Sequence, residues 1–241
     1  MKTESPLPVL MLGSYPHPCS YFDGREAQTE FTISRRLPAA TFERLLELGF
    51  RRSGRMVYRP TCNGCHDCQS IRVLVPDFRP DRSMRRTWRD NRDLTVRVGR
   101  PKLSDEKCEL YERYLTTRHE REPGGGLEEF LYESPVESRE IEFRLGDKLV
   151  SVAIADLLPR GLSAVYCYFD PDLPSRGLGT FAVLWEIDYC RRRGWPYCYL
   201  GYYVRDCRKM NYKNRFVPHE ILGEDGVWRH FDGRQNDDEI R

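Results

Sequence analysis

The sequence predicts an α+β fold: a mixed sheet in the second half of the chain and a smaller N-terminal domain that carries cysteines. Three observations lead there. Cysteines stand at two-residue intervals, Cys62, Cys65 and Cys68, ahead of a run of arginines. From about residue 139 the texture changes, and R-E-I-E-F-R-L-G-D-K-L-V-S-V-A-I-A-D-L-L reads as a hairpin turning at Gly146–Asp147. Beyond it, a strand at 162–169 runs through a glycine loop into a helix at 180–193 and on to a buried strand at 195–203. The division expected from this change is 1–98 and 99–241.

Composition bounds the function only loosely. The chain has 241 residues, 39% hydrophobic, enough to bury a sizeable core. Charged residues make up 32%, yet the net charge is only +2, so partners must be read from local clusters. No segment approaches the roughly 18 apolar residues of a spanning helix, and the first residues lack a signal-peptide core. The expectation is a cytoplasmic protein with no membrane partner. Nine cysteines without an export signal point to reduced thiols in metal or core roles.

The elements follow in order. Residues 13–31 are rich in turn formers and aromatics and hold Cys19. Residues 39–49 read as a helix capped by Thr41, with Phe42, Leu45 and Leu46 on one face and Gly49 at its stop. Strands at 54–59 and 70–76 flank the cysteines. Residues 83–93 read as a polar helix, with Arg82, Arg85, Arg86 and Arg89 on one side. An amphipathic helix spans 104–120, opening at Ser104 and Asp105, with Cys108, Tyr111 and Leu115 on its apolar face. The E-P-G-G-G of 122–126 is a loop. Residues 207–216 form a basic helical turn, a strand pair runs through 217–222 and 227–231, and the tail is polar.

Thiolates at two-residue intervals can wrap one soft ion, zinc or an iron–sulfur cluster. Cys62, Cys65 and Cys68 need a fourth ligand. Cys19 is the first candidate and His66 the second. The competing reading is three half-buried cysteines on a turn. Cys108, Cys167, Cys190 and Cys198 fall at apolar positions and read as packing residues. The arginine run invites phosphate, with Trp88 placed to stack on a base. Its rival is a solvated face paired with Asp81, Asp90 and Asp93, but five arginines against three aspartates leave an excess. The S-R-G-L-G-T loop, with Arg176, Gly177 and Gly179, offers a helix N-terminus to phosphate. It partly matches the glycine loop of acetyltransferases, with Pro174 at the first position. The alternative is glycines that serve only the turn.

Together these segments resemble the arginyl-/leucyl-tRNA–protein transferase family, most closely its bacterial branch. The resemblance rests on P-H-P-C-S-Y-F-D-G-R, G-F-R-R-S-G, Y-R-P-T-C-N-G-C-H-D-C, F-R-P-D-R-S-M-R-R, L-S-A-V-Y-C-Y-F-D-P-D and Y-L-G-Y-Y-V with K-M-N-Y-K-N-R-F. It covers about residues 13–225. It implies an acetyltransferase-like fold in the C-terminal half. It also implies transfer of leucine from leucyl-tRNA to proteins beginning with Asp or Glu, which marks them for N-degron degradation. The cysteines become the family's metal or cluster site. Where relatives commonly read Ser, this chain has Gly177.

An aminoacyl ester is already activated, so the chemistry requires no cofactor. The attacking α-amine has a pKa near 8, so modest base help suffices. Asp156 and Asp170 end neighbouring strands and are the candidates to take its proton. Lys209, Lys213 and Arg215, near Tyr166 and Tyr168, are the candidates to meet the acceptor's acidic side chain. Three rivals stand: arginine as donor, a CoA-dependent N-acetyltransferase, and a metal-bearing RNA-binding module without catalysis.

Overall fold

The structure, a computed structural model, describes residues 13–119 and 126–233. Of the loop expected at 122–126 only Gly126 falls among them, and the end of the polar tail lies outside them. Two sheets form. The smaller contains β1 (Gly13–Pro18), β2 (Glu26–Ile33), β3 (Arg51–Ser53) and β4 (Met56–Pro60), antiparallel throughout in the order β1-β2-β4-β3. The stretch 13–31, expected as turns, thus holds two strands; the turn itself is confined to residues 19–25, where the amide of Cys19 donates to the Arg25 carbonyl.

The larger sheet has eight strands. Its order is β12 (Trp228–Phe231), β11 (His219–Leu222), β5 (Gln69–Leu74), β10 (Tyr197–Tyr203), β9 (Gly161–Phe169), β8 (Lys148–Leu158), β7 (Ser138–Leu145) and β6 (Thr95–Gly99). Only β9 and β10 run parallel. Strand β5 precedes residue 98 and β6 spans it, so the larger sheet draws on both sides of the expected division. The sheets part between β4 and β5 instead.

Among the described residues there are four α-helices: α1 (Ala39–Glu47), α2 (Arg82–Asp90), α3 (Asp105–His119) and α4 (Leu178–Arg192). Alternation along β8 assigns its faces. Ala153 and Ala155 join Phe181 and Leu184 of α4, while Val152 and Ile154 pack with Leu110 of α3. Leu158, of the same parity as Ile154, meets Phe42 and Leu46 of α1 and Val57 of β4. So α4 lies on one face, and α1, α3 and the smaller sheet on the other. Helix α1 opens at Pro38 without a side-chain cap, and Thr41 sits inside it. Proline fixes the φ that a helix entry needs, which relieves Thr41 of that role.

Charge ties the layers together. Arg52 of β3 reaches Asp156 of β8 through Nε at 2.7 Å and a terminal nitrogen at 2.8 Å. Glu43 of α1 meets Arg160 in the β8–β9 turn at 3.4 Å.

Candidate active site at the strand fork

Strands β9 and β10 pair only at Gly161–Tyr197, Leu162–Cys198 and Ser163–Tyr199, and then separate. Two glycines explain the shape. A Cβ on Gly161 would lie 2.4 Å from the Tyr197 carbonyl oxygen, so the strands approach there only without one. Gly201, at φ 82°, sits in the irregularity between Tyr199 and Tyr202 and turns β10 away. Past it, β10 pairs with β5 alone. The fork opens toward the ends from which α4 and the short 3₁₀ helix 211–215 depart.

The two acids expected as bases are both buried in ion pairs. Asp156 has no exposed surface, and both its oxygens are taken by Arg52, with the Ser138 hydroxyl donating at 2.6 Å. Asp170 is equally buried and holds Lys148 at 2.6 Å and Arg113 at 2.8 Å. Burial alone would raise its carboxyl; Lys148, the Asp172 amide and Arg113 outweigh that and keep it below the usual range. The Asp170 carboxylate, held so, does not take up a proton near neutrality.

The cations divide differently. Lys209 is exposed, and Arg215 is exposed and bonded to Ser83 at 2.7 Å. Lys213 is buried, and its ammonium donates to the Tyr202 carbonyl at 2.6 Å. Beside it Arg51, also buried, donates to the Gly201 carbonyl at 3.1 Å and leaves Nε without a partner. No carboxylate pairs with either among the described residues. Burial, then the nearby Arg51 charge, push the Lys213 ammonium down to about 7. Arg51 is likewise lowered by burial. Sequence reasoning missed Arg51, although the R-R of G-F-R-R-S-G was in plain view.

On the α3 side, Tyr168 is buried and shares a 2.8 Å hydrogen bond with Tyr132. Tyr166 is half-buried against Tyr111 and Tyr114. Tyr168 therefore packs, and of the two only Tyr166 retains exposed surface.

Helix α2 lies against the start of α4. Its N-cap is Asp81, whose carboxylate accepts from the Met84 amide at 2.8 Å. Met84 and Trp88 face inward, Trp88 against Phe181 at 5.5 Å. Trp88 is thus half-buried in packing against α4. Arg82, Arg85, Arg86 and Arg89 are exposed. Arg85 donates to the Pro80 carbonyl at 2.6 Å and Arg89 to Asp90 at 3.3 Å, while Arg82 and Arg86 form no ion pair among the described residues. The glycine loop abuts this helix. Gly177 takes φ 60° at the helix entry, and a Cβ there would meet Thr87 at 3.5 Å. A Cβ on Gly179 would come within 3.1 Å of Phe169. Arg176 is bidentate to Asp93 at 2.8 Å, so it braces the loop instead of standing free for phosphate.

The cysteines gather on the far side of Tyr202. Cys62, Cys65, Cys68 and His66 line a cavity of about 220 Å³ with Tyr202 and Leu222. Burial, then Cys62, Cys19 and Cys65, push the Cys68 thiol up to about 12, so all four thiols lie in one field. The Gln28 amide donates to Cys62 Sγ at 3.4 Å. That donor set suits a soft metal, but among the described residues no three such groups are disposed around one point. His66 turns to Glu224 at 3.7 Å. Cys190 and Cys198 are buried in the core, and Cys108 and Cys167 are half-buried at its margins, as packing residues would be.

Comparison with known proteins accords with this arrangement. Family models described as arginine-tRNA-protein transferase, N terminus and C terminus, match residues 17–86 and 106–223. An aspartate/glutamate leucyltransferase of Marinobacter nauticus is 44% identical over 92% of this chain and 95% of its own. Another, from Hahella chejuensis, is 42% identical over 87% of this chain and 92% of its own. The solved structure of L-PGS from Bacillus licheniformis superposes with a TM-score of 0.50 at 12% identity, covering 72% of this chain and 62% of that one, a likeness of fold. Two matching family models and relatives alike over nearly their whole length make this chain a member of the arginine-tRNA-protein transferase family, on the side of the bacterial aspartate/glutamate leucyltransferases.

Proposed function

We propose that this enzyme transfers leucine from leucyl-tRNA to the α-amine of proteins that begin with Asp or Glu, in the cytoplasm, and so marks them for N-degron degradation. The name of the relatives supports the amino acid and the acceptors. The observation that carries the reading is the pair of buried cations, Arg51 and Lys213, at the fork, neither of them ion-paired with an acid among the described residues. Buried charge without a partner is costly and is kept where a ligand supplies the counter-charge. The acceptor's leading carboxylate is that counter-charge. A parallel pair that opens past a short register also matches the acetyltransferase-like reading of the fold, in which an acyl donor and an amine meet between two strands.

The reaction needs positioning more than activation. The ester carbonyl must sit against the amine, with donors toward the developing oxyanion. The exposed arginines of α2 and the start of α4 at Gly177–Gly179 border the same opening and suit the tRNA backbone. Cys19, Cys62, Cys65 and Cys68 would hold a structural zinc ion or cluster that shapes the wall behind Tyr202, and no step of the transfer passes through it.

The test is incubation of the protein with labelled leucyl-tRNA, arginyl-tRNA or acetyl-CoA and peptides that begin with Asp, Glu, Asn or Lys. Leucine should reach the Asp and Glu peptides alone. Transfer only from arginyl-tRNA or only from acetyl-CoA overturns the donor, and RNA binding without any transfer overturns the enzyme.

A further inference from the structure

A second basic surface lies away from the fork. A hollow of about 570 Å³ opens between the last turns of α4 and the edge strand β6. Trp185 and Tyr189 form its floor, Val96 and Val98 its β6 side, and Arg139, Arg192 and Arg193 its rim. Arg139 stands there because it shares the parity of Ile141 and Phe143, the β7 residues that pack with α4. The two rings are buried and stacked, with centroids 5.2 Å apart, and two guanidiniums lie on them. Arg193 is 3.5 Å from the Tyr189 ring and 5.5 Å from that of Trp195, and Arg192 is 5.5 Å from Trp185. A guanidinium spread on an aromatic face keeps its in-plane N–H groups for another acceptor. Asp188 holds Arg192 at 3.0 Å and Glu137 holds Arg139 at 2.5 Å, but neither acid lines the hollow. The exposed Arg193 guanidinium meets no acid and no hydrogen-bond acceptor among the described residues. Shielding two rings needs no charge. Three arginines around one hollow point to an anion.

The hollow continues the basic face of α2. Phe181, Trp185, Tyr189 and Arg192 recur at helical spacing along one stripe of α4. Helix α2 meets the head of that stripe, Trp88 against Phe181, at the end of α4 that faces the fork. The hollow lies at its foot, about 16 Å further at 1.5 Å per residue. Strand β6 runs the same way, from Thr95 opposite Arg144 to Gly99 opposite Glu140, the neighbour of Arg139. Arg92 before it and Arg100 after it are exposed and form no ion pair among the described residues. Cations therefore follow the open edge of the larger sheet from Arg82 to Arg193. A ligand that matches them must carry negative charge along that whole length and also reach the fork. An RNA duplex arm does both, and it is held through phosphates and shape, not sequence. We propose that this strip, from α2 along β6 to the hollow at Arg139 and Arg193, seats the body of the leucyl-tRNA while its esterified end lies in the fork. The proposal rests on the leucyl-transfer reading. It gives the enzyme a means to prefer a whole tRNA over a small aminoacyl ester, because a donor without the arm misses every contact on the strip.

The experiment joins Arg139→Glu and Arg193→Glu in one variant and measures its binding of leucyl-tRNA across salt concentrations. At about 150 mM salt its affinity should fall at least about tenfold, and the slope of log affinity against log salt should drop by about 1 to 2. In leucyl transfer the fall should appear in KM for leucyl-tRNA. It should vanish when the donor is cut back to the leucylated last three nucleotides. Unchanged affinity and slope overturn the proposal, and so does an equal loss with the shortened donor, which would place the damage at the fork. A higher KM for the acceptor peptide with tRNA affinity intact overturns it in favour of an acidic protein partner. A second measurement leaves every arginine in place. Val98, 42% exposed, is replaced by the photo-crosslinker benzoylphenylalanine, and tRNA is added. Crosslinks should map to the tRNA body outside its last four nucleotides, and their absence overturns the proposal. If the parent moves no leucine to any peptide, the transfer reading fails, and tRNA binding and crosslinking still judge the strip.

Discussion

Lys213 and Glu186 are two residues whose side chains the fold strains to keep, and they pull stability in opposite directions with pH. Lys213 in the folded chain gives up its proton near 7, well below the usual 10.5, so the folded state binds fewer protons than the unfolded between those values. Its penalty is full below pH 7 and fades as pH rises toward 10.5. Glu186 is raised from 4.5 to about 8, so its penalty is absent below 4.5 and full above 8. Met is of similar length and apolar. Lys213→Met should therefore stabilise the protein at pH 6 by roughly 1–3 kcal/mol, after the lost bond to the Tyr202 carbonyl is set against the gain, and by almost nothing at pH 10. The same variant should raise KM for Asp- and Glu-initiated peptides at least about tenfold and leave kcat less affected, as loss of uniform binding does. Thermal melts across pH and peptide titrations check both. A variant no more stable at pH 6 than at pH 10 would place the ammonium in water, not in the core.

At the scale of the element, α2 separates what its sequence shows from what it hides. Spacing alone put its arginines on one side, and they are there. Spacing could not say that Trp88 belongs to the opposite side, because an aromatic next to arginines reads equally as a stacking platform or a core residue. Phe181, far away in sequence, decides it. The same limit hid the ion pairs. Acids at strand ends looked available, yet Asp156 is paired with Arg52 from a strand far along the chain and Asp170 with Lys148 from the neighbouring strand. Glu186, in the apolar run F-A-V-L-W-E-I, was the visible anomaly. The elements themselves, the hairpin at Gly146, the glycine loop and α4, were legible because period and turn chemistry are local. For α2, Arg82→Glu with Arg86→Glu should weaken tRNA binding and lower the slope of log affinity against log salt by about 1 to 2, since each lost phosphate contact releases fewer counterions. Turnover at saturating tRNA should change by less than about threefold. An unchanged slope in filter binding would make this helix a solvated face.

At the scale of the molecule, the smaller sheet and the larger one are joined by the Arg52–Asp156 pair, whose members are 1% and 0% exposed. Asp156→Asn leaves a buried guanidinium without its counter-charge, so it should cost about 3–5 kcal/mol. For a chain of this size that is a fall in Tm of roughly 6–20 °C. Were Asp156 a base instead, the variant would keep its Tm and lose turnover, so a melting curve separates the roles. The parting of the sheets between β4 and β5 was unreadable from sequence for a related reason. Which sheet a strand joins is set by partners that lie far along the chain.

Strand β5 has a consequence for the birth of the protein. Val73 pairs with Cys198 on one side and with His219 on the other. On the ribosome, this strand emerges long before either neighbour exists. Loop closure over such a span is slow, and the strand waits with both edges open. The fork takes shape only once β10 docks between β9 and that early strand. A chain that lacks β10 therefore has its arginine helix but not the fork, and the open edges of β5 are exposed to aggregation in the meantime.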